Sequence, residues 1–222
     1  MNRYRAILFL SALILFLSFP ASAQVRTGDV ISFGHYEQDN DLSNGAEPIE
    51  WQVLTEEDGR MLLISRYGLD GLPYHSSFED VTWESCRLRQ WLNRDFLETA
   101  FTEAERELIE EVINRTPANP EAGTDGGADT ADRVFLLSID EVVGFFPAVE
   151  DRTCKATDFA KGKGILADWV NDYNSFWWLR SPGYSPCSAA IVYSNGLLYM
   201  YGSAVDSARA VRPVLWLRTD NR

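Results

Sequence analysis

The segment DNDLSNGAEPIE sets oxygen-bearing side chains at Asp39, Asp41, Ser43, Glu47 and Glu50, with Gly45 among them. That order follows positions 1, 3, 5, 7, 9 and 12 of a calcium loop, in which hard oxygens surround a hard cation. Position 6 is Asn44 where such a loop turns on glycine, and the flanks read as strands rather than helices. An acidic β-turn is therefore the plainer reading, with calcium as the cofactor if one binds. A second acidic loop offers Asp125, Asp129 and Asp132 without regular spacing.

A different chemistry is concentrated near the C-terminus. FWWLRSPG, Phe176 to Gly183, puts two tryptophans beside an arginine. Alternation along a strand sends Trp177 and Trp178 to opposite faces, so that one anchors the core and the other lies on the far face. Arg180 is placed to hold a carboxylate or backbone carbonyls and to fix the loop that Pro182-Gly183 begins. Scaffold is the favoured role for this corner, with Trp178 and Arg180 kept as candidate ligand contacts.

The hairpin AIVYSNGLLYMYG adds Tyr193, Tyr199 and Tyr201, and Tyr173, Phe176 and Tyr184 precede it. Tyrosine supplies contact area at small entropic cost plus a polar tip, which suits a glycan or a peptide. Alternation puts Tyr199 and Tyr201 on one face. They become core residues if Ala204 and Val205 cover them.

Hydrolytic chemistry has few footholds. A serine or cysteine nucleophile needs a base, and neither His35 nor His75 stands in a recognisable motif. Three cysteines, Cys86, Cys154 and Cys187, allow one disulfide and one leftover thiol. Cys154 with Cys187 closes the shortest loop, and Cys86 sits in a helical pattern where a buried free thiol is ordinary. No C-x-x-C or His-rich cluster points to zinc.

The compartment is legible at the N-terminus. Arg3 and Arg5 precede the apolar run Ala6 to Phe19, and ASAQ follows with Ala21 and Ala23 in a cleavage pattern. This is the build of a signal peptide over residues 1–23, cut after Ala23. The apolar run falls short of the roughly 20 residues of a membrane-spanning helix. Gln24 stands where a lipoprotein needs cysteine. The expectation is a secreted or periplasmic chain with no membrane insertion after cleavage, folded as one domain over residues 24–222. Export also means an oxidising environment for the thiols.

The net charge of −13 becomes more negative once Arg3 and Arg5 are removed, which argues against nucleic acid and anionic membranes as partners. It favours cations, basic partners or neutral ligands such as sugars, although an acidic surface also serves solubility alone.

The elements that must hold these side chains follow from periodicity. DVISFGHY, PIEWQVLTEE and RMLLISRY read as a β-meander with EDG as its second turn. DVTWESCRLRQWLN switches to helical spacing behind a cap at Asp80 or Thr82. Thr102 with Glu105, and Ser138 with Glu141, form capping boxes for two further helices. RVFLLS reads as a buried strand, ATDFAK as a helical turn, Asn195-Gly196 as a type I′ turn, and RAVRPVLWL as the closing strand. The stretch Thr116 to Asp132 reads as a surface loop. Strands at both ends with helices between them make an α+β domain of mixed and antiparallel sheets, with two or three short helices, long loops, and the first and last strands in one sheet. The Trp doublet and the VRP strand are expected in that same sheet.

FGHYEQ, PIEWQVL, LLISRYGLD, VTWESCRLRQWLN, FLETAFTEAE, RVFLLSIDEV, CKATDFA, WWLRSPG and VRPVLWL, in this order, resemble a bacterial family known as domain of unknown function 6273. That family is similar to the C-type-lectin-like fold shared with formylglycine-generating enzyme and the sulfatase-modifying factors. The resemblance implies a C-type-lectin-like architecture. It also directs attention to DWVND, Asp168 to Asp172, which is similar to the Trp-Asn-Asp signature of calcium-dependent lectins with a valine inserted. The companion Glu-Pro-Asn or Gln-Pro-Asp loop is missing, so lectin-type calcium recognition does not carry over. Nor does the copper-binding cysteine pair of formylglycine-generating enzyme, since Cys187 has no cysteine neighbour. The function expected is an exported, non-catalytic binding module for a glycan, peptide or envelope component. An enzyme related to the formylglycine-generating group and a structural envelope protein are the alternatives.

Overall fold

The computed structural model describes residues 25–165, 167–171 and 173–219, so the expected signal segment lies outside the described residues. The chain begins with the expected meander: β1 (Val30–Tyr36), β2 (Glu47–Glu57) and β3 (Arg60–Ser65) pair antiparallel. Asp58 and Gly59 close the second hairpin, both at positive φ (48° and 74°), the combination a type I′ turn requires. Alternation buries Ile49, Trp51 and Val53 completely, and the Trp51 indole donates to the Phe33 carbonyl at 2.7 Å. A short strand β4 (Asp70–Pro73) follows.

The helical segment starts later than its pattern predicts. Cys86 is the cap, its sulfur accepting from the Arg89 amide, and α1 (Arg87–Trp91) runs through a π-turn at Leu92–Phe96 into α2 (Leu97–Ala100). Leu88, Leu92, Phe96 and Ala100 face inward. Both capping boxes form, at Thr102–Glu105 for α3 (Glu103–Leu108) and at Ser138–Glu141 for α4 (Ile139–Phe145). Between them lie β5 (Ile109–Glu110), β6 (Val112–Asn114), β7 (Thr130–Asp132) and β8 (Val134–Phe135). The ATDFAK turn is α5 (Asp158–Gly162), capped by Thr157. Then come β9 (Ala167–Asp168), β10 (Asn174–Ser175), β11 (Trp177–Pro182), β12 (Ser188–Val192), β13 (Leu198–Ala204), β14 (Ala208–Val211) and β15 (Val214–Arg218).

Two larger sheets organise these strands. One runs β1-β2-β3-β15-β5 with β8 also on β15, so the first and last strands share it. The other runs β13-β12-β11-β14-β4, antiparallel except for β11 beside β14. The tryptophan doublet lies on β11 and the closing strand is β15, so the two belong to different sheets, contrary to expectation. Backbone continuity explains it. The segment from β14 to β15 passes from one sheet to the other at Arg212-Pro213, and the segment from β3 to β4 makes the same passage alongside. The Ser65 amide donates to the Pro213 carbonyl, the Leu69 amide to Val211, and the Arg212 guanidinium to the Ser65 carbonyl. Buried side chains of both sheets form one continuous cluster. The molecule is a sheet-rich α+β fold with few, short helices.

The Asn195-Gly196 turn differs from its expectation. Only Gly196 takes positive φ (85°), and the Gly196 amide donates to the Tyr193 carbonyl, so it is not the I′ type. A side chain at Gly196 would also collide with the Val149 carbonyl.

Candidate functional site

The second sheet is sealed at one side and open at the other. On the sealed side both tryptophans of the doublet are fully buried, one on each face. The Trp177 indole donates to the Arg152 carbonyl at 3.0 Å and its ring lies under the Arg212 guanidinium, 5.1 Å away. The Trp178 indole donates to the Leu72 carbonyl at 2.9 Å and packs on Tyr74. With its one donor satisfied and no surface left, Trp178 cannot contact a ligand. That correction follows from both faces of β11 being covered.

Arg180 is corrected in the same way. It is 3 % exposed and its fork is full: Nε and Nη2 donate to the Arg115 carbonyl, Nη1 to the Leu136 carbonyl, and Nη1 and Nη2 to Glu141 at 2.5 and 2.6 Å. Glu141 is delivered by the capping box, because its Oε2 also accepts the Ser138 amide. One local motif thus fixes the helix start and supplies the arginine's counter-ion.

Asp132 is a second buried hub. Its carboxylate accepts from the Trp83 indole, Arg89 Nε, Thr130 Oγ1, Asn93 and Asn114. Asp129 pairs with Arg115 and Asp125 caps the Gly127 amide, so the second acidic loop spends its carboxylates on the protein itself. Asn119, 2 % exposed, ties that loop to β11 and β13 through the Pro182 and Met200 carbonyls.

The open side is built by a bulge. Ala189 pairs with Ser203 and Ile191 with Tyr199, so β13 carries extra residues around Met200 to Gly202. Gly202 takes φ of 80°, and a Cβ there would strike the Ala189 carbonyl. The carbonyls freed by the bulge are recaptured, Met200's by Asn119 and Tyr201's by the Tyr184 amide and Ser188 Oγ. Tyr201 is thereby set against Tyr184, stacked at 4.9 Å and 16°. Tyr201 then meets Tyr199 at 5.9 Å, Tyr199 stacks on Tyr193 at 4.6 Å, and Tyr193 meets the edge of Phe176 at 5.3 Å. Five rings form one continuous ridge. Tyr184 and Tyr201 are 53 % and 55 % exposed, and Tyr193, Tyr199 and Phe176 are half-buried. Val205 is fully buried, Tyr199 packs half-buried against the core and Tyr201 stands 55 % exposed, so the covering expected for this pair extends only to Tyr199. The Tyr193 hydroxyl is raised above the ordinary tyrosine range, by desolvation first and then by its hydrogen bond with Tyr199.

Beyond Phe176 the ridge ends in a hollow of about 190 Å³ lined by Ile165, Phe176, Tyr193 and Arg209. Arg209 was not singled out by sequence. It arrives through the parallel pairing that sets Ala210 opposite Trp177, a long-range contact with no local signal.

The first acidic loop is reorganised relative to a calcium loop. Asp39 accepts from the Asp41 amide and Asn44, Asp41 from the Ser43 amide and hydroxyl, and Glu50 pairs with Arg66 at 2.9 Å. Asp41, Ser43 and Glu50 are therefore not gathered with the others. Asp39 and Glu47 do come together, with Glu37, one oxygen from each lying within 4.8 Å of the others. Three carboxylates of this kind would suit a hard cation. Desolvation, then the charge of Glu47, pushes the Glu37 carboxyl up, whereas hydrogen bonds from Asn44 and the Asp41 amide hold Asp39 down. Asp168 of DWVND accepts from the Val170 amide, Asn171 and Ser194, which builds a turn.

The expected Cys154–Cys187 disulfide is not formed, and all three cysteines are free. Cys154 is buried beside the Arg66 and Lys155 carbonyls, whereas Cys187 lies half-exposed beside Ser185. The shortest loop in sequence does not bring their side chains together.

Fold and site together define a sheet-rich α+β protein that carries an exposed aromatic ridge on one edge of its second sheet. Comparison places it more narrowly. The family described as Domain of unknown function (DUF6273) matches residues 58–219, more than half of the chain, and the chain belongs to that family. No curated protein and no solved structure matches it. No helix among the described residues is long and apolar enough to cross a membrane.

Proposed function

We propose that this chain is a non-catalytic binding module that seats a saccharide on the ridge Tyr184–Tyr201–Tyr199–Tyr193–Phe176. The observation that carries the proposal is the continuity of five rings, with the two tyrosines at one end, Tyr184 and Tyr201, more than half exposed. Pyranose rings present apolar C–H faces and equatorial hydroxyls together. A row of tyrosines offers apolar area and hydroxyl tips in the same alternation, and each ring loses little entropy on binding. Neighbouring rings hold one another, so the surface is organised before the ligand arrives.

The module is further proposed to be exported by residues 1–23 from a bacterial cell, to act in the periplasm or medium, and to have a C-type-lectin-like fold. The shared sheet of the first and last strands supports that fold. The separate settings of Cys86, Cys154 and Cys187 support a binding role over the copper chemistry of the formylglycine-generating group.

A glycan and peptidoglycan array with the purified protein tests the proposal. Binding that Tyr201→Ala and Tyr184→Ala abolish is the expected result. Hydrolytic turnover or copper uptake with no binding to any glycan would replace it with the enzyme reading. Self-association without glycan binding would replace it with a structural one.

A further inference from the structure

We infer that the saccharide on this ridge is an acidic one, with a carboxylate held by Arg209 in the hollow beside Phe176 and Tyr193. The inference rests on the ridge being a saccharide site and names the class of sugar.

The carrying observation is an arginine whose donors are only partly used. Arg209 Nη1 donates to the Ala208 carbonyl at 2.7 Å, while Nε is buried and has no partner. Among the described residues no carboxylate pairs with it. Arg180 is answered by Glu141, Arg89 by Asp132, and Arg152 by the Phe146 and Pro147 carbonyls. Arg212 also keeps a buried nitrogen, Nη1, without a partner, but it is 3 % exposed and lies in the core against the Trp177 and Phe146 rings, whereas Arg209 lines a hollow. A buried guanidinium N–H lacking an acceptor is costly, and the N–H groups not spent on Ala208 are left to a ligand in the hollow.

The position of Arg209 suits a ligand on the ridge. Its guanidinium carbon lies 6.0 Å from the Phe176 ring centroid, and its charge reaches the Tyr193 hydroxyl. A sugar stacked on Tyr193 and Phe176 would bring a substituent directly over the hollow. The other lining side chains, Ile165, Phe176 and Tyr193, bring no negative charge. A planar fork matches a carboxylate in two parallel bonds, and such charge-assisted bonds are about twice as strong as those to a neutral hydroxyl. One guanidinium in a chain of net charge −13 fits a singly charged carboxylate better than a dianionic phosphate. At physiological salt the overall repulsion is screened beyond about 8 Å, which leaves the contact with Arg209 to decide.

The test compares a tetrasaccharide of galacturonic acid with its methyl ester, titrated into the purified protein at physiological salt. The free acid is expected to bind roughly tenfold tighter than the ester, the scale of one charge-assisted contact. Arg209→Gln should erase that difference, and an unchanged melting profile shows that the variant is folded. Equal affinity of acid and ester for the unaltered protein would overturn the inference and leave the ridge as a neutral-sugar site. Binding of an acidic peptide instead of either sugar would overturn both readings. A preference for the acid that survives Arg209→Gln would assign the carboxylate to another group and overturn this one.

Discussion

Arg180 and Arg209 stand on adjacent strands of the same sheet, each beside aromatic rings, yet their surroundings are opposites. Arg180 has a carboxylate, two backbone carbonyls and almost no solvent. Arg209 has one carbonyl and a buried nitrogen without a partner. The aromatic neighbours follow suit, Phe135 and Tyr74 sealed in the core beside Arg180, Phe176 and Tyr193 only half-buried beside Arg209. Residue type therefore does not separate scaffold from site in this molecule. Exposed ring area does, together with an open donor that stands at a hollow rather than in the core, as the sealed Arg212 shows with its own unpartnered Nη1.

The comparison breaks first at Arg180. Arg180→Met strands Glu141 and the Arg115 and Leu136 carbonyls together. Removing one partner of a buried pair costs about 3–5 kcal/mol, and because Glu141 is 31 % exposed the loss is expected at the lower end of that range. For a chain of this size, each kcal/mol lowers the melting temperature by roughly 2–4 °C. Arg209→Gln should cost less than about 1 kcal/mol, since it removes one satisfied bond and one dissatisfied nitrogen. Calorimetry on both variants checks the contrast. Equal losses would make Arg209 a scaffold residue too.

Alkali should attack the sealed side next. Tyr74, which donates to the Arg180 carbonyl, is raised well above the ordinary tyrosine range by burial, and Tyr36 is raised by burial and by Asp70. Burial likewise pushes the Cys86 thiol up to about 12 and raises Cys154. All four are acids whose folded form binds the proton more tightly than the unfolded form. Their contribution is fully present below the unfolded values of 9.0 and 10.0 and is lost as pH rises from there toward the folded ones. Each such group tilts stability by at most about 1.4 kcal/mol per pH unit. Melting temperature should therefore fall steeply above about pH 9. A flat profile up to pH 11 would mean that these hydroxyls and thiols are solvated.

How much of this contrast was readable from sequence depends on the range of the interaction. The Ser138–Glu141 box, the Thr102–Glu105 box and the Asp58-Gly59 turn involve side chains within a few residues, and periodicity and cap chemistry found each of them. The scaffold reading of the Trp doublet also held, because strand alternation is local. What escaped needed pairing over long distances. The passage of two segments between sheets at Ser65 and Arg212 has no local signature. Trp178 and Arg180 stood as ligand contacts because the residues that cover them, Leu72, Arg115 and Glu141, are 39 to 106 residues away. Arg209 reaches Phe176 only through β11 lying parallel to β14. The helix starts behind Cys86 rather than Asp80 or Thr82 because a thiol takes the capping role usually given to an oxygen.

Thiol chemistry sharpens the same division without altering the chain. Cys187 is half-exposed, and Cys86 and Cys154 are buried with their thiols held protonated. The thiolate is the reactive form, so a native, unreduced sample should give one fast-reacting thiol, and the unfolded sample three. Only one thiol after unfolding would mean that a disulfide forms after all.

A small effect on stability is also expected on the ridge, and there the comparison is most exposed to refutation. Tyr201 is 55 % exposed, stacks on Tyr184 and touches Tyr199 at an angle. Tyr201→Ala removes two ring contacts of about 0.5–1.5 kcal/mol each, partly offset because Tyr184 gains solvent contact without losing a hydrogen bond through its side chain. The Tyr201 carbonyl keeps its bond from the Tyr184 amide, since only the side chain changes. A net cost near 1 kcal/mol is expected, against about 3–5 kcal/mol for a buried Trp178→Ala. Saccharide binding should respond in the reverse order, lost in Tyr201→Ala at a temperature where the variant is still folded. If Tyr201→Ala instead destabilises the chain as much as Trp178→Ala, the ridge is packing that happens to face water, and the saccharide site must be sought elsewhere.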